Sequence, residues 1–201
     1  SPGPVITISR QYGSRGTEIA EKLTQVINDR NKRIGHGKEW RFISKEILED
    51  AARELNMTAE LTQQLSESSH NDIFNNLTMF MSDDFYTTNT KVKNTIAKVI
   101  YAFAAQGHAV IVGRAAEAIV RDIYKSLKIK IAAPLDYRIH QVIEREHLSP
   151  GDAKKRCIEE DKKREQFRRY FEGNRDDADY YDVTFNSGML SDNEIIEMIV
   201  I

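Results

Sequence analysis

The chain has 201 residues, enough for a single domain with a sizeable core. Its 29 basic and 31 acidic side chains give a formal charge of −2, which argues against nucleic-acid binding through bulk charge. A lone cysteine, Cys157, excludes an internal disulfide framework and a zinc site built on cysteines, and no apolar run approaches the roughly 20 residues that span a bilayer. The expectation is a soluble, most simply cytoplasmic, protein without a membrane or nucleic-acid partner; oligomeric state is left open.

The first element is a strand over 5–9, a largely apolar run whose first four residues are all β-branched. It breaks into Arg10-Gln11-Tyr12-Gly13-Ser14-Arg15-Gly16, after which Ile19, Ala20, Leu23, Val26 and Ile27 mark a helix over 17–28. Strand, glycine-containing turn and helix is the order in which phosphate-binding loops are built, because loop and helix-start N–H groups converge where the helix dipole is positive. Gly13 and Gly16 are expected to permit positive φ and a close approach of backbone to an anion. Arg10 and Arg15 would add guanidinium groups, and Ser9, Ser14 and Thr17 hydroxyls. The lysine of GxxxxGK[ST] is missing, and two glycines can equally serve only to turn the chain.

A short strand over 40–43 is followed by Ser44, a candidate N-cap for a helix over 45–55. The polar, Asn- and Ser-rich stretch 57–90 is expected to form a helical excursion beside the site, with helices near 59–65 and 72–80. A helix over 89–106 then leads to the clearest strand, 109–113, a continuous apolar run of the kind buried in parallel sheets. Gly113-Arg114 follows at once. A helix over 115–125, a strand over 127–132, helices over 136–146 and 150–170, and a strand over 182–186 complete the alternation. Ser191 and Glu194 make a capping box for a last helix over 192–199.

Strands alternating with helices imply an α/β three-layer sandwich on a five-stranded parallel sheet, with ligands at the carboxyl ends of the strands. That selects the 10–16 loop, Ser44, Gly113-Arg114, 133–134 and 186–187. The basic stretch within 150–171 places Asp161, Arg164, Arg168 and Phe171 on one helical face. A charged helix is most simply a solvated one; the functional alternative is a lid over about 148–175 whose arginines neutralise a transferring phosphoryl group. The five histidines lack metal-ligand spacing, so no side-chain metal site is expected, and Cys157 is expected to be packed rather than nucleophilic.

The segments 6–20, 109–116, 161–171 and 181–191 together resemble the cytidylate kinase-like family, in the right order over nearly the whole chain. The resemblance implies one domain over 1–201 with the P-loop nucleoside monophosphate kinase fold and a helical lid, using ATP and Mg²⁺ and acting on small-molecule nucleotides. The strand-end Gly-Arg-Asp motif of bacterial cytidylate kinases is matched by Gly113-Arg114, with Ala115 in place of the acid. In the loop, Arg10 replaces the first glycine, Gly16 the lysine and Glu18 the magnesium-binding hydroxyl. Absence of the lysine is shared with the family's Gly-Ser-Gly-Gly loops, whereas Arg15 is particular to this chain. By that carry-over Arg10, Gly13, Ser14, Arg15, Gly16 and Thr17 would hold the donor, and Ser44, Arg114 and Asp161 the acceptor. Arg15, Arg164 and Arg168 would act on the transferring group. The implied function is phosphoryl transfer from ATP to CMP or a related small phosphate; the alternative is a P-loop protein that binds a nucleotide or anion without turnover.

Overall fold

In the computed structural model, which describes residues 3–48, 50–51, 53–55, 90–172 and 176–201, the apolar runs expected as strands are all strands. They are β1 (Val5–Arg10), β2 (Arg41–Ile43), β3 (Ala109–Val112), β4 (Ser126–Ala132) and β5 (Val183–Asn186). All pair in parallel, in the order β2-β3-β1-β4-β5. Helices among the described residues include α1 (Gly16–Ile34), α2 (Thr90–Gln106), α3 (Ala116–Ile119), α4 (Leu135–Glu146), α5 (Pro150–Glu172), α6 (Asp177–Tyr180) and α7 (Asp192–Val200).

The two-residue period of the strands sorts the core into layers. Ile6, Ile8, Val110 and Val112 pack with Ile19 and Leu23 of α1 and Ile195 of α7 on one face. Val5, Ala109 and Ile111 face the other way, against Ile96 and Ile100 of α2, Ala116 of α3 and Phe167 of α5. A third, small cluster joins Val142 of α4 to Ala153 and Cys157 of α5, with Tyr12 of the loop against it. Cys157 is fully buried, as expected of a packed cysteine.

Two helices depart from their expected bounds. α1 continues through a polar stretch to Ile34 and stops at Gly35, whose left-handed φ of 68° lets its N–H reach the Lys32 carbonyl. The helix expected over 115–125 is only the single turn of α3; Val120 and Ile123 are buried in core-facing turns, and Lys125 ends beside Val5, whose N–H it accepts at 3.1 Å. The capping box of α7 is present as expected, with Ser191 and Glu194 each accepting the other's backbone N–H. Residues 45–48 are helical, while the helices expected near 59–65 and 72–80 lie outside the described residues.

Phe167 is 1 % exposed and is the anchor of α5 in the main core. Phe167→Ala is expected to lower stability by about 3–5 kcal/mol, and Gln166→Ala on the exposed side by no more than about 0.5 kcal/mol. Urea denaturation of the two variants measures the difference.

Candidate functional site

The loop after β1 is built on its own polar groups. Gln11 donates its N–H to the Ile131 carbonyl of β4 (3.0 Å), and its side-chain oxygen accepts the Ala133 N–H (3.0 Å). Ser14 is fully buried, its hydroxyl donating to the Gln11 carbonyl at 2.7 Å, and Ser187 donates to the Ser14 carbonyl at 2.6 Å. Gly13 has φ 78°, as expected, but the second left-handed residue is Arg15 (φ 65°), the N-cap of α1, and not Gly16. Glycine is required at 16 for space: a Cβ there would lie 2.4 Å from the Arg10 Cβ. The close approach at this glycine is to a side chain of the same chain, and its φ is not positive, correcting the expectation of a left-handed residue at 16.

Arg10 crosses the site. Its Nε donates to the Thr17 hydroxyl (3.1 Å), and its guanidinium reaches the end of β3, where a Cβ at Gly113 would meet Nη1 at 2.4 Å. Counting from Arg10, Thr17 rather than Glu18 supplies the hydroxyl that follows the lysine position. Glu18 is exposed and lies near Arg145. Burial opposes the Arg145 charge, but its hydrogen bond to Glu146 and the fields of Tyr12, Glu146 and Glu18 hold its pKa above the ordinary value.

At the end of β3, Gly113, Arg114 and Ala115 have successive φ values of 71°, 55° and 55°. Two consecutive non-glycine residues in the left-handed region are strained, a feature that clusters at ligand sites. The turn buries the Arg114 side chain to 6 % exposure beside Arg10. Glu117, one turn further on, is fully buried, and desolvation raises its pKa against the opposing pull of its backbone hydrogen bond, Arg168 and Tyr181.

α5 lies across both strand ends. Asp161 accepts the Tyr12 N–H (2.7 Å) and an Nη1 proton of the buried Arg138 (2.6 Å). Arg164 donates from Nη1 to the Arg10 carbonyl (2.8 Å) and stands over the Tyr12 ring (5.2 Å), which Arg145 and Arg156 also cover. The Tyr12 hydroxyl donates to Glu146. Burial tends to raise the Glu146 pKa, but the hydrogen bonds from Tyr12 and Arg145 and the charges of Arg145 and Arg156 hold it below the usual range. Arg168 donates to the Tyr181 hydroxyl (2.6 Å). The Nε atoms of Arg164 and Arg168 are buried without a hydrogen-bond partner among the described residues.

These groups enclose two adjoining spaces, one of ≈ 260 Å³ bordered by Gln11, Lys130, Asp161 and Arg164, and one of ≈ 30 Å³ bordered by Gly113, Arg114 and Glu117. Ser9, Arg10, Arg164 and Arg168 line both. Of the residues selected from sequence, Arg10, Arg114, Asp161, Arg164 and Arg168 thus meet. Arg15 turns the other way, pairing with Asp192 at the start of α7 (2.6 Å) beside a third cavity of ≈ 430 Å³. Ser44 lines none of the three; its hydroxyl accepts the Ile47 N–H at 3.4 Å as an N-cap. It also accompanies Glu46, whose pKa burial would raise but the Ser44 hydroxyl, a backbone hydrogen bond and nearby Lys45 and Arg114 lower. Sequence reasoning missed Tyr12, Glu117, Lys130 and Tyr181. Their one common signal is position, within a few residues of a strand end.

The model of the cytidylate kinase-like family matches residues 5–189. The chain belongs to the cytidylate kinase-like family. Its fold is that of the P-loop kinases. An uncharacterized protein from Eubacterium ventriosum ATCC 27560 superposes with a TM-score of 0.69 at 20 % identity, over 98 % of this chain and 96 % of that one. Shikimate kinase from Acinetobacter baumannii, in complex with shikimate, does so at 0.50 and 11 %, over 98 % and 91 %. A stretch of 113 residues is 26 % identical to uronate isomerase of Corynebacterium glutamicum; it is 56 % of this chain and 22 % of the isomerase, so the match spans about a fifth of that relative's length. Among the described residues, no helix is long and apolar enough to cross a membrane, and no three His, Cys, Asp or Glu side chains gather as metal ligands.

The raised pKa of Glu117 has a definite sign in stability. A carboxyl favoured in its neutral form contributes fully below the ordinary carboxylate range, and that contribution is lost as pH rises through its folded pKa. Glu117→Gln should therefore match the wild type near pH 4 and gain on it at higher pH, by at most about 1.4 kcal/mol per pH unit for one proton. Urea denaturation of both proteins between pH 4 and 8 measures this slope.

Proposed function

We propose that this family member is an ATP- and Mg²⁺-dependent nucleoside monophosphate kinase that phosphorylates CMP or a related small phosphate. The observation that carries this reading is the convergence of Arg10, Arg114, Arg164 and Arg168 on adjoining cavities at the ends of β1 and β3, beside the N-terminus of α1. Phosphoryl transfer asks a protein chiefly to position two substrates and neutralise charge, and arginine suits both tasks.

The first N–H groups of α1 have no intrahelical acceptor, and with Gly13, Ser14 and Gly16 shaping the loop they would hold donor phosphates. Arg10 would lie alongside. Arg15, paired with Asp192, would border the donor's remaining part in the third cavity. Bound Mg²⁺·ATP supplies the γ-phosphoryl group and part of the charge neutralisation. The Thr17 hydroxyl, which accepts from Arg10 Nε, would reach the ion only through its remaining lone pair, and Mg²⁺ at such sites is held mostly by phosphate oxygens and water, so an acidic cluster is not required. On the acceptor side Arg114 would grip the phosphate, with Asp161 and Ser44 at its margins. Arg164 and Arg168 would face the transferring group.

A second reading, nucleotide or anion binding without turnover, is favoured by one observation: position 16 carries no lysine and has no room for a side chain. A coupled assay with ATP against CMP, UMP and AMP separates the two. Turnover is expected with CMP or a close analogue, Arg114→Ala raising the acceptor KM at least tenfold. Arg164→Ala should lower kcat by roughly 10²–10³, as loss of a transition-state donor does. ATP binding without turnover on any acceptor would establish the second reading, and failure of both ATP and CMP to raise the Tm would overturn both.

A further inference from the structure

We propose that Tyr181 is a positioning residue for the transfer site, its phenol holding the Arg168 guanidinium against Ser9 at the end of β1. As a statement about catalysis, this rests on the kinase reading above; as a statement about Arg168, it does not.

Tyr181 sits just before β5, is 8 % exposed, and belongs to the same core cluster as Phe167. Its hydroxyl receives a hydrogen bond from Arg168 Nη1 at 2.6 Å, lies 3.0 Å from the Ser9 Oγ that it donates to, and is 3.4 Å from Glu117 Oε1. One oxygen therefore joins α5 to the ends of β1 and β3. The Arg168 guanidinium also lies 4.6 Å from the centroid of the Tyr180 ring and 5.7 Å from that of Tyr181, so its plane and its tip are both constrained.

Among the described side chains of its own helix, none is bonded to Arg168. Glu165, three residues earlier, is bonded to Arg169 at 2.6 Å, and the nearest ion-pair partner is Asp177 of α6 at 3.6 Å. A long side chain left with one distant partner samples many rotamers, whereas a guanidinium held in a fixed plane keeps its remaining N–H groups aimed at one place. For Arg168 that place is the cavity it shares with Arg10 and Arg164. Arg164, one turn earlier, is aimed separately, by Tyr12 and the Arg10 carbonyl, and serves as an internal control.

Tyr181→Phe removes the hydroxyl and keeps the ring. In ligand-free protein, the Arg168 Nε–Hε resonance, assigned by its absence in Arg168→Lys, should be slow to exchange with water in the wild type. In Tyr181→Phe it should exchange at least tenfold faster, with Arg164 unchanged. An unaltered Arg168 resonance overturns the proposal whether or not the protein is a kinase. In turnover, Tyr181→Phe should lower kcat about tenfold with the donor KM changed less than twofold, and should add nothing to the loss caused by Arg168→Lys. Multiplying effects of the two substitutions would overturn the catalytic half. If Tyr181→Phe fails to fold, Ser9→Ala, which removes the acceptor on the β1 side, replaces it with the same expected and overturning results. A wild type that neither binds ATP nor turns over any acceptor removes the kinase reading and with it the catalytic half, and the exchange measurement alone then decides how Arg168 is held.

Discussion

The site depends on the passage of the Arg10 side chain between two glycines. A Cβ at Gly16 would collide with its stem and a Cβ at Gly113 with its guanidinium. With both positions free of a side chain, Arg10 leaves the end of β1, bonds Thr17 at the start of α1, and reaches across to the end of β3. A Cβ at position 16 would clash with the stem of Arg10 as it runs here, so a lysine at 16 and this path of the Arg10 side chain are incompatible.

The second element of the site, α5, is a charged helix whose arginines are drawn inward. Phe167 ties it to the core, and on either side of that anchor the arginines meet tyrosine rings: Arg164 over Tyr12, Arg168 over Tyr180 and Tyr181. Cation–π contacts contribute about 0.5–1 kcal/mol each when exposed and more when desolvated, so their value here lies as much in orientation as in stability. The loop reciprocates by offering its Tyr12 amide to Asp161.

Buried polarity around these arginines is arranged in a chain rather than in isolated pairs. Glu117 stands behind Tyr181, Tyr181 behind Arg168 and Ser9, and Asp177 serves both Arg168 and Lys130. Desolvation pushes the pKa of both Glu117 and Tyr181 up.

The five strands, the strand–loop–helix at the amino terminus, the capping box of α7 and the packed state of Cys157 were legible in the sequence, because each follows from a local pattern. Apolar period, β-branched runs, breakers and cap residues act over a few positions, and the strand ends selected by such rules carry Arg10 and Arg114, which line adjoining cavities. The polar continuation of α1 and the single turn of α3 were not legible, since no apolar period marks the one and core burial of turn residues replaces helix in the other. Nor did spacing alone show that Arg15 faces Asp192, that Gly16 makes room for Arg10, or that Tyr181 meets Ser9 across 172 residues of chain. Those relations exist only once the fold brings the ends of β1 and β3, the start of α7 and the residues just before β5 beside one another. The sequence by itself determined which groups stand at strand ends; tertiary structure decided which of them touch, because side-chain direction and excluded volume depend on neighbours far away in the chain.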